Sequence, residues 1–146
     1  GCGWLPADWM PQEAIRKVLR ALARAAKGRI GLGPTIITDR VERELAIYFR
    51  GEGARFTVPL DPLGTPFQKQ VWAALRQIPA GEVRSYSDIA AAIGRPEAVR
   101  AVAAANGANP VALMIPCHRV IGADGSLTGF GGGLTLKQEL LAIEKK

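Results

Sequence analysis

Ile115-Pro116-Cys117-His118-Arg119-Val120 is the stretch that most limits what this chain can build. Asn109-Pro110 opens an apolar run, Val111 to Ile115, but Pro116 forbids a regular ladder and pins the backbone just before Cys117. A glycine-dense segment, Gly122 to Gly133, follows. The chain's only histidine and one of its two cysteines therefore stand side by side between an apolar run and a flexible turn. Two readings are open. A lone cysteine can be a small buried hydrophobe and a lone histidine a structural residue. Alternatively, a thiol flanked by His118 and Arg119 is drawn toward its thiolate, the nucleophilic form. Adjacent residues point in different directions, so His118 could act as a base on Cys117 only through a bridging water or a sharp backbone turn.

At 146 residues the chain is one domain, or one domain with a small appendage. It can bury a core without disulfide staples. The 48% apolar and 22% charged content agrees with that. A net charge of +6 favours polyanionic partners, nucleic acid above all, or an anionic membrane surface. Cys2 and Cys117 make no disulfide framework, and with a single histidine they cannot assemble a usual structural zinc site. No run reaches the length of a membrane span, and no charged-then-apolar leader opens the sequence. The expectation is a soluble protein of a reducing compartment with neither metal nor cofactor.

Trp4 and Trp9 lie in an N-terminal arm. From Pro11, apolar residues Ile15, Val18, Leu19 and Leu22 recur at helical spacing to Gly28, with Arg16, Arg20, Arg24 and Lys27 on another face. Gly31 to Pro34 reads as a turn and Thr35 to Thr38 as a short strand. Asp39 then caps a helix carrying Val41, Leu45, Tyr48 and Phe49, stopped by Gly51. Arg55 to Val58 reads as a second strand. The proline-rich connector Pro59 to Gly64 marks a boundary, giving residues 1–59 as a small mixed α/β unit and 60–146 as the second domain.

Thr65-Pro66-Phe67-Gln68 combines a cap, a first-position proline and a capping-box glutamine. Phe67, Val71, Trp72, Leu75 and Ile78 form the buried face of that helix. Ser85 to Asp88 starts another helix with the same logic, stopped by Gly94. Pro96 opens a third, through Val99 and Val102. Two short helices joined by a glycine-containing turn read either as a helical hairpin or as a helix-turn-helix. The second would carry Arg95 near its start and Arg100 within it, among alanines. Such a helix offers few long polar side chains to base edges, so it suits binding by shape and phosphate rather than by sequence. Val120-Ile121 and Leu127-Thr128 flank Asp124-Gly125, a hairpin signal. Thr135 with Gln138 repeats the capping box of a last helix carrying Leu136, Leu140, Leu141 and Ile143. Glu144 falls at its end, where a carboxylate opposes the helix dipole unless a partner such as His118 holds it.

Pro116-Cys117-His118-Arg119-Val120, preceded by Asn109 and followed by the glycine-rich turn and Glu144, resembles the O(6)-alkylguanine-DNA alkyltransferases, or methylated-DNA–protein-cysteine methyltransferases. The match runs from Pro62 to Glu144 and includes Gly64-Thr65-Pro66-Phe67-Gln68, Val71-Trp72, Ser85-Tyr86 and Val99-Arg100-Ala101-Val102. The resemblance implies an α+β protein: a small N-terminal mixed α/β unit, then a mainly helical domain with a helix-turn-helix and the active-site cysteine. It implies a monomeric DNA repair protein that flips an alkylated guanine from duplex DNA and moves the alkyl group irreversibly onto Cys117. His118 would be the base, acting through a water, with Glu144 orienting it. Tyr86 would donate to the leaving purine, and Asn109 would hinge the DNA-binding motif to the active-site segment. Arg100 would fill the gap left by the flipped base, with Ser85, Arg95, Ala101 and Ala104 as the other DNA-facing positions. Arg119, Val120, Phe130, Gly131 and Gly132 would line the substrate pocket.

Phe130 stands where many members of the family have Tyr, and Gly131 where a larger or polar residue is common, which implies a more open, less polar pocket wall. The first unit is short for the family and lacks the metal ligands some members carry. The acceptor cysteine, absent from the family's non-repairing relatives, is present. The expected location is the cytoplasm, or the nucleus in a eukaryote. Two rival readings are a lesson in the same residues: a DNA-binding sensor that makes no transfer, and a Cys-His hydrolase of small molecules that turns over without DNA. Intact Cys117, His118 and Glu144 oppose the first, and the positive charge and Arg100 oppose the second.

Overall fold

The computed structural model describes residues 34–57, 60, 62–111, 113–129 and 134–145. The helix expected from Pro11 to Gly28, the arm with Trp4 and Trp9, and Phe130, Gly131 and Gly132 lie outside these residues. Helix α1 spans Pro34–Phe49. It absorbs the strand expected at Thr35 to Thr38 and starts upstream of Asp39, the expected cap. Proline suits a helix's first turn, and the β preference of Thr and Ile is a weak bias that context overrides. Val41, Leu45, Tyr48 and Phe49 are buried, as their spacing demands. Gly51, at φ 71°, turns the chain out of the helix. The second expected strand is also not formed at residues 55–57. The Thr57 amide donates instead to the Glu44 carboxylate of α1, 3.1 Å away, so no strand partner receives it.

Helix α2, Pro66–Leu75, begins at the expected capping box, with Thr65 accepting from the Gln68 amide and Gln68 accepting from the Thr65 amide. It buries Val71, Trp72 and Leu75. Burying each such side chain is worth roughly 2 kcal/mol. Strand β1, Arg84–Ser85, leads directly into helix α3, Tyr86–Ala92, capped by Ser85 and Asp88. Gly94, at φ 76°, makes the turn that follows. Helix α4, Val99–Gly107, starts later than Pro96 suggests: Pro96 and Glu97 sit in a turn and Ala98 is the cap residue. Val102, Ala105 and Asn106 are buried, and the Trp72 indole donates to the Ala105 carbonyl at 2.9 Å, binding α4 to α2.

Strand β2, Val120–Ile121, pairs parallel with β1, Arg84 opposite Val120 and Ser85 opposite Ile121. This replaces the hairpin expected between Val120-Ile121 and Leu127-Thr128. The turn itself exists, closed by Gly122 N–H to Ser126 O at 2.8 Å and by Ser126 N–H to the Asp124 carboxylate at 3.0 Å. Helix α5, Leu134–Glu144, begins one residue before the expected cap, Thr135. The described residues thus form a helix-dominated α+β fold with one two-stranded sheet, and the described part of the first segment is helical without a strand.

Candidate active site

Cys117 opens a single turn of 3-10 helix, Cys117–Arg119, between the apolar run and β2. Asn109, just past the end of α4, clamps that run from both sides. Its amide donates to the Ile115 carbonyl at 2.7 Å, and its oxygen accepts from the Val111 N–H at 2.9 Å. Within the clamp Leu113 holds φ at 77°, a left-handed conformation rare for leucine. The position of Cys117 is therefore set by α4 through Asn109 and by the β1–β2 pairing that starts immediately after Arg119.

That pairing also brings Tyr86, the first residue of α3, to the loop after β2, where the Thr128 hydroxyl donates to the Tyr86 oxygen at 3.1 Å. The last turn of α5 supplies Glu144. His118 Nε2 lies 2.7 Å from Glu144 Oε1. Arg119 donates to both carboxylate oxygens, Nε to Oε2 at 2.9 Å and Nη2 to Oε1 at 2.8 Å, and also to the Ile78 carbonyl at 2.6 Å. Burial opposes ionisation of Glu144, but the hydrogen bonds from His118 and Arg119 outweigh it and hold the carboxyl down at about 2. An ionised carboxylate only accepts, so His118 must carry its hydrogen on Nε2. Burial keeps His118 neutral by lowering its pKa against the pull of Glu144. Its lone pair is then on Nδ1, which is buried and has no partner among the described residues. The arrangement is a neutral base, oriented by a carboxylate, next in sequence to a buried thiol.

One expectation is corrected here. The cations beside Cys117 do not make a ready thiolate in the free protein. The Arg119 guanidinium is consumed by Glu144, His118 is neutral, and burial pushes the Cys117 thiol up, only partly offset by the Asn109 amide and the Lys137 charge. Arg119 is itself buried, at the Glu144 carboxylate.

The other expected site residues separate into two sets. Cys117, His118, Glu144, Asn109 and Val120 are brought together, with Tyr86 adjoining through Thr128. Arg100, Ala101 and Ala104 lie on the exposed side of α4, Ser85 is half-buried at the start of α3, and Arg95 is in the turn between the helices rather than on α4. Its guanidinium lies 5.8 Å from the centre of the Phe67 ring.

A family model described as the DNA binding domain of 6-O-methylguanine DNA methyltransferase matches residues 66–146, more than half of the chain. The chain belongs to the methylated-DNA–protein-cysteine methyltransferase family. The methyltransferase of Mycolicibacterium paratuberculosis is 57% identical over 113 residues, 77% of this chain and 68% of that protein. That of Mycobacterium tuberculosis is 58% identical over 102 residues, 70% of this chain and 62% of that protein. The crystal structure of Mycobacterium tuberculosis OGT in complex with DNA superposes with a TM-score of 0.72 at 55% identity, over 73% of this chain and 66% of that one. The chain therefore spans 62% to 68% of the length of these relatives.

Two residues at this site escape a local reading of the sequence. Lys137 of α5 is fully buried and donates to the carbonyls of Val120, at 2.5 Å, and Thr128, at 2.8 Å. It ties both sides of the β2 turn to α5, and burial lowers its pKa while Cys117 opposes that. The available signal was its spacing: Lys137 is three residues before Leu140 and seven before Glu144, on the face that is buried. The second is Tyr48, whose hydroxyl donates to Glu144 Oε1 at 2.8 Å. A tyrosine within an otherwise apolar stripe signals a polar partner without naming it.

Proposed function

We propose that this chain repairs O(6)-alkylguanine in duplex DNA by taking the alkyl group onto its own Cys117, once per molecule. The observation that carries the reading is the neutral His118 held by Glu144 in the segment of the Cys117 thiol. The thiol proton passes through a water to His118 Nδ1. The S–C bond forms as the bond from the alkyl carbon to O6 breaks, and the purine leaves with the electron pair. The Tyr86 hydroxyl donates to the purine, whose anion finally recovers the proton. Because burial holds Cys117 as a thiol, deprotonation belongs to the lesion-bound state, which protects the free protein from adventitious alkylation.

Helices α3 and α4 act as a helix-turn-helix on DNA, with Arg100 entering the gap left by the flipped guanine and Ser85, Arg95, Ala101 and Ala104 toward the backbone. The small exposed side chains of α4 allow close approach, and the net charge of +6 supplies phosphate attraction. We assign Val120 and Arg119 to the base pocket; Phe130, Gly131 and Gly132, which the family resemblance assigns there too, lie outside the described residues. We divide the chain into a first unit, 1–59, and a DNA-binding and transfer unit, 60–146; a family match beginning at Pro66, just past the connector, supports this. The protein works as a monomer, one copy per lesion, wherever the cell keeps its DNA. No helix among the described residues is long and apolar enough to cross a membrane.

The test is intact-mass spectrometry after incubation with duplex DNA carrying one O(6)-methylguanine. The expected result is the mass of a single added methylene, mapped to the Cys117 peptide and absent from Cys117→Ala. An unchanged mass with lesion-preferring binding would make the protein a sensor and refute the transfer.

A further inference from the structure

Glu144 Oε1 accepts three hydrogen bonds, from His118, from Arg119 and from Tyr48, and Arg119 also occupies Oε2. Three donors converge on Oε1 and one holds Oε2, so the carboxylate is oriented from two separate elements of the fold. Three of the donors belong to the Cys117–Arg119 turn. The fourth comes from α1, which precedes the proline-rich connector and stands 96 residues away from Glu144 in sequence.

The Tyr48 ring is buried against Phe49, edge-on at 5.3 Å between centroids, and against Phe56 at 5.6 Å. Phenylalanine would fill that apolar space equally well, so packing does not account for the hydroxyl. Among the described residues the hydroxyl's one hydrogen-bond partner is the carboxylate oxygen that also receives His118 Nε2–H. Each donor on Oε1 makes Glu144 a weaker base toward the imidazole. That keeps the proton on His118 Nε2 and reserves Nδ1 for the thiol proton. Resting on the alkyl-transfer reading, we propose that Tyr48 is a positioning residue of the reaction, acting through Glu144 on His118, so that the segment before the connector contributes to the chemistry.

The groups facing this carboxylate are Tyr48 from α1 and His118 and Arg119 from the 3-10 turn; Lys137 of α5 is a further charge acting on His118. Without the Tyr48 hydroxyl, Glu144 would attract the imidazolium more strongly and His118 would protonate at higher pH. Below that pH it could no longer accept the thiol proton.

The experiment compares wild type, Tyr48→Phe and a packing control from the same helix, Val41→Ala. Each is mixed with saturating duplex DNA carrying one O(6)-methylguanine, and single-turnover alkylation of Cys117 is followed from pH 5 to 9. In parallel, imidazole NMR follows the titration of His118, which is unambiguous because the chain has one histidine. Tyr48→Phe should transfer about tenfold more slowly, the loss expected for a hydrogen bond to a charged group. Its acid limb and the His118 titration should both move up by about half a pH unit. Val41→Ala should melt lower yet keep the rate and pH profile of wild type. A folded Tyr48→Phe with the wild-type rate and profile overturns the proposal, as does a Val41→Ala protein that shows the same shifts. A wild-type protein that gains no mass overturns the transfer reading itself.

Discussion

Replacing Glu144 by glutamine should cost about 3 kcal/mol of folding stability at neutral pH, and two separate lines of reasoning give that size. The first is linkage. The carboxyl titrates near 4.5 when unperturbed and at about 2 in the folded protein, and at 1.36 kcal/mol per unit the difference contributes about 3 kcal/mol of stability. The second is structural. The glutamine amide nitrogen cannot accept from Arg119 or Tyr48, so the substitution leaves a buried guanidinium without its counter-charge, which typically costs roughly 3–5 kcal/mol. For a chain of this size a loss of 3 kcal/mol lowers Tm by about 10 °C. Because the folded pKa is depressed, the contribution is complete above about pH 4.5 and is lost as the pH falls from there toward about 2. Urea unfolding of wild type and Glu144→Gln at a series of pH values measures this directly. The two proteins should differ fully at pH 7 and converge as acid is added through that window. A gap under about 1 kcal/mol at neutral pH, or one that does not narrow with acid, would show that Glu144 is not the charged hub of this site.

Lys137→Met should leave the Val120 and Thr128 carbonyls without their donor. A loss of about 1–3 kcal/mol in unfolding free energy and slower single-turnover transfer should follow, and an unchanged melt and rate would count against the tie. In the DNA-free protein Cys117 should react with iodoacetamide more slowly than an unfolded thiol, its rate still climbing at pH values where a free thiol has levelled off; peptide mapping separates it from Cys2, and labelling at the unfolded rate would contradict a buried, protonated sulfur. Thr65→Ala should lose about 1 kcal/mol in urea unfolding by removing the α2 cap, with transfer from saturating lesion DNA unchanged.

Where a structural signal is local, the chain states it openly. The capping boxes at Thr65 and Ser85 are complete within four residues, and both helices start where those boxes put them. Gly51 and Gly94 stop helices because they take left-handed backbone, a property of the residue itself. The local signals failed where competing partners decided. Thr35 to Thr38 has β-branched composition yet belongs to a helix. Residues 55–57 extend without forming a strand because the Thr57 amide turns to Glu44. Val120-Ile121 is a strand, but it pairs with Arg84-Ser85 rather than across the Asp124-Gly125 turn, since α3 and the active-site turn are held side by side.

The available chemistry is written in residue order: the Cys117 thiol, the chain's one imidazole beside it, a carboxylate at a helix end that needs a partner, and a basic chain suited to DNA. Those follow from residue identity and short spacing. How these groups are charged and held depends on folding. Arg119 sits next to His118 in the chain but spends its donors on Glu144 and Ile78. Cys117 is buried, which raises its pKa despite two neighbouring basic residues. Tyr48 and Lys137 reach the site from opposite ends of the described fold. Charge state and hydrogen bonding depend on which groups share a low-dielectric interior, and that is set by contacts between residues tens of positions apart, which no local pattern encodes.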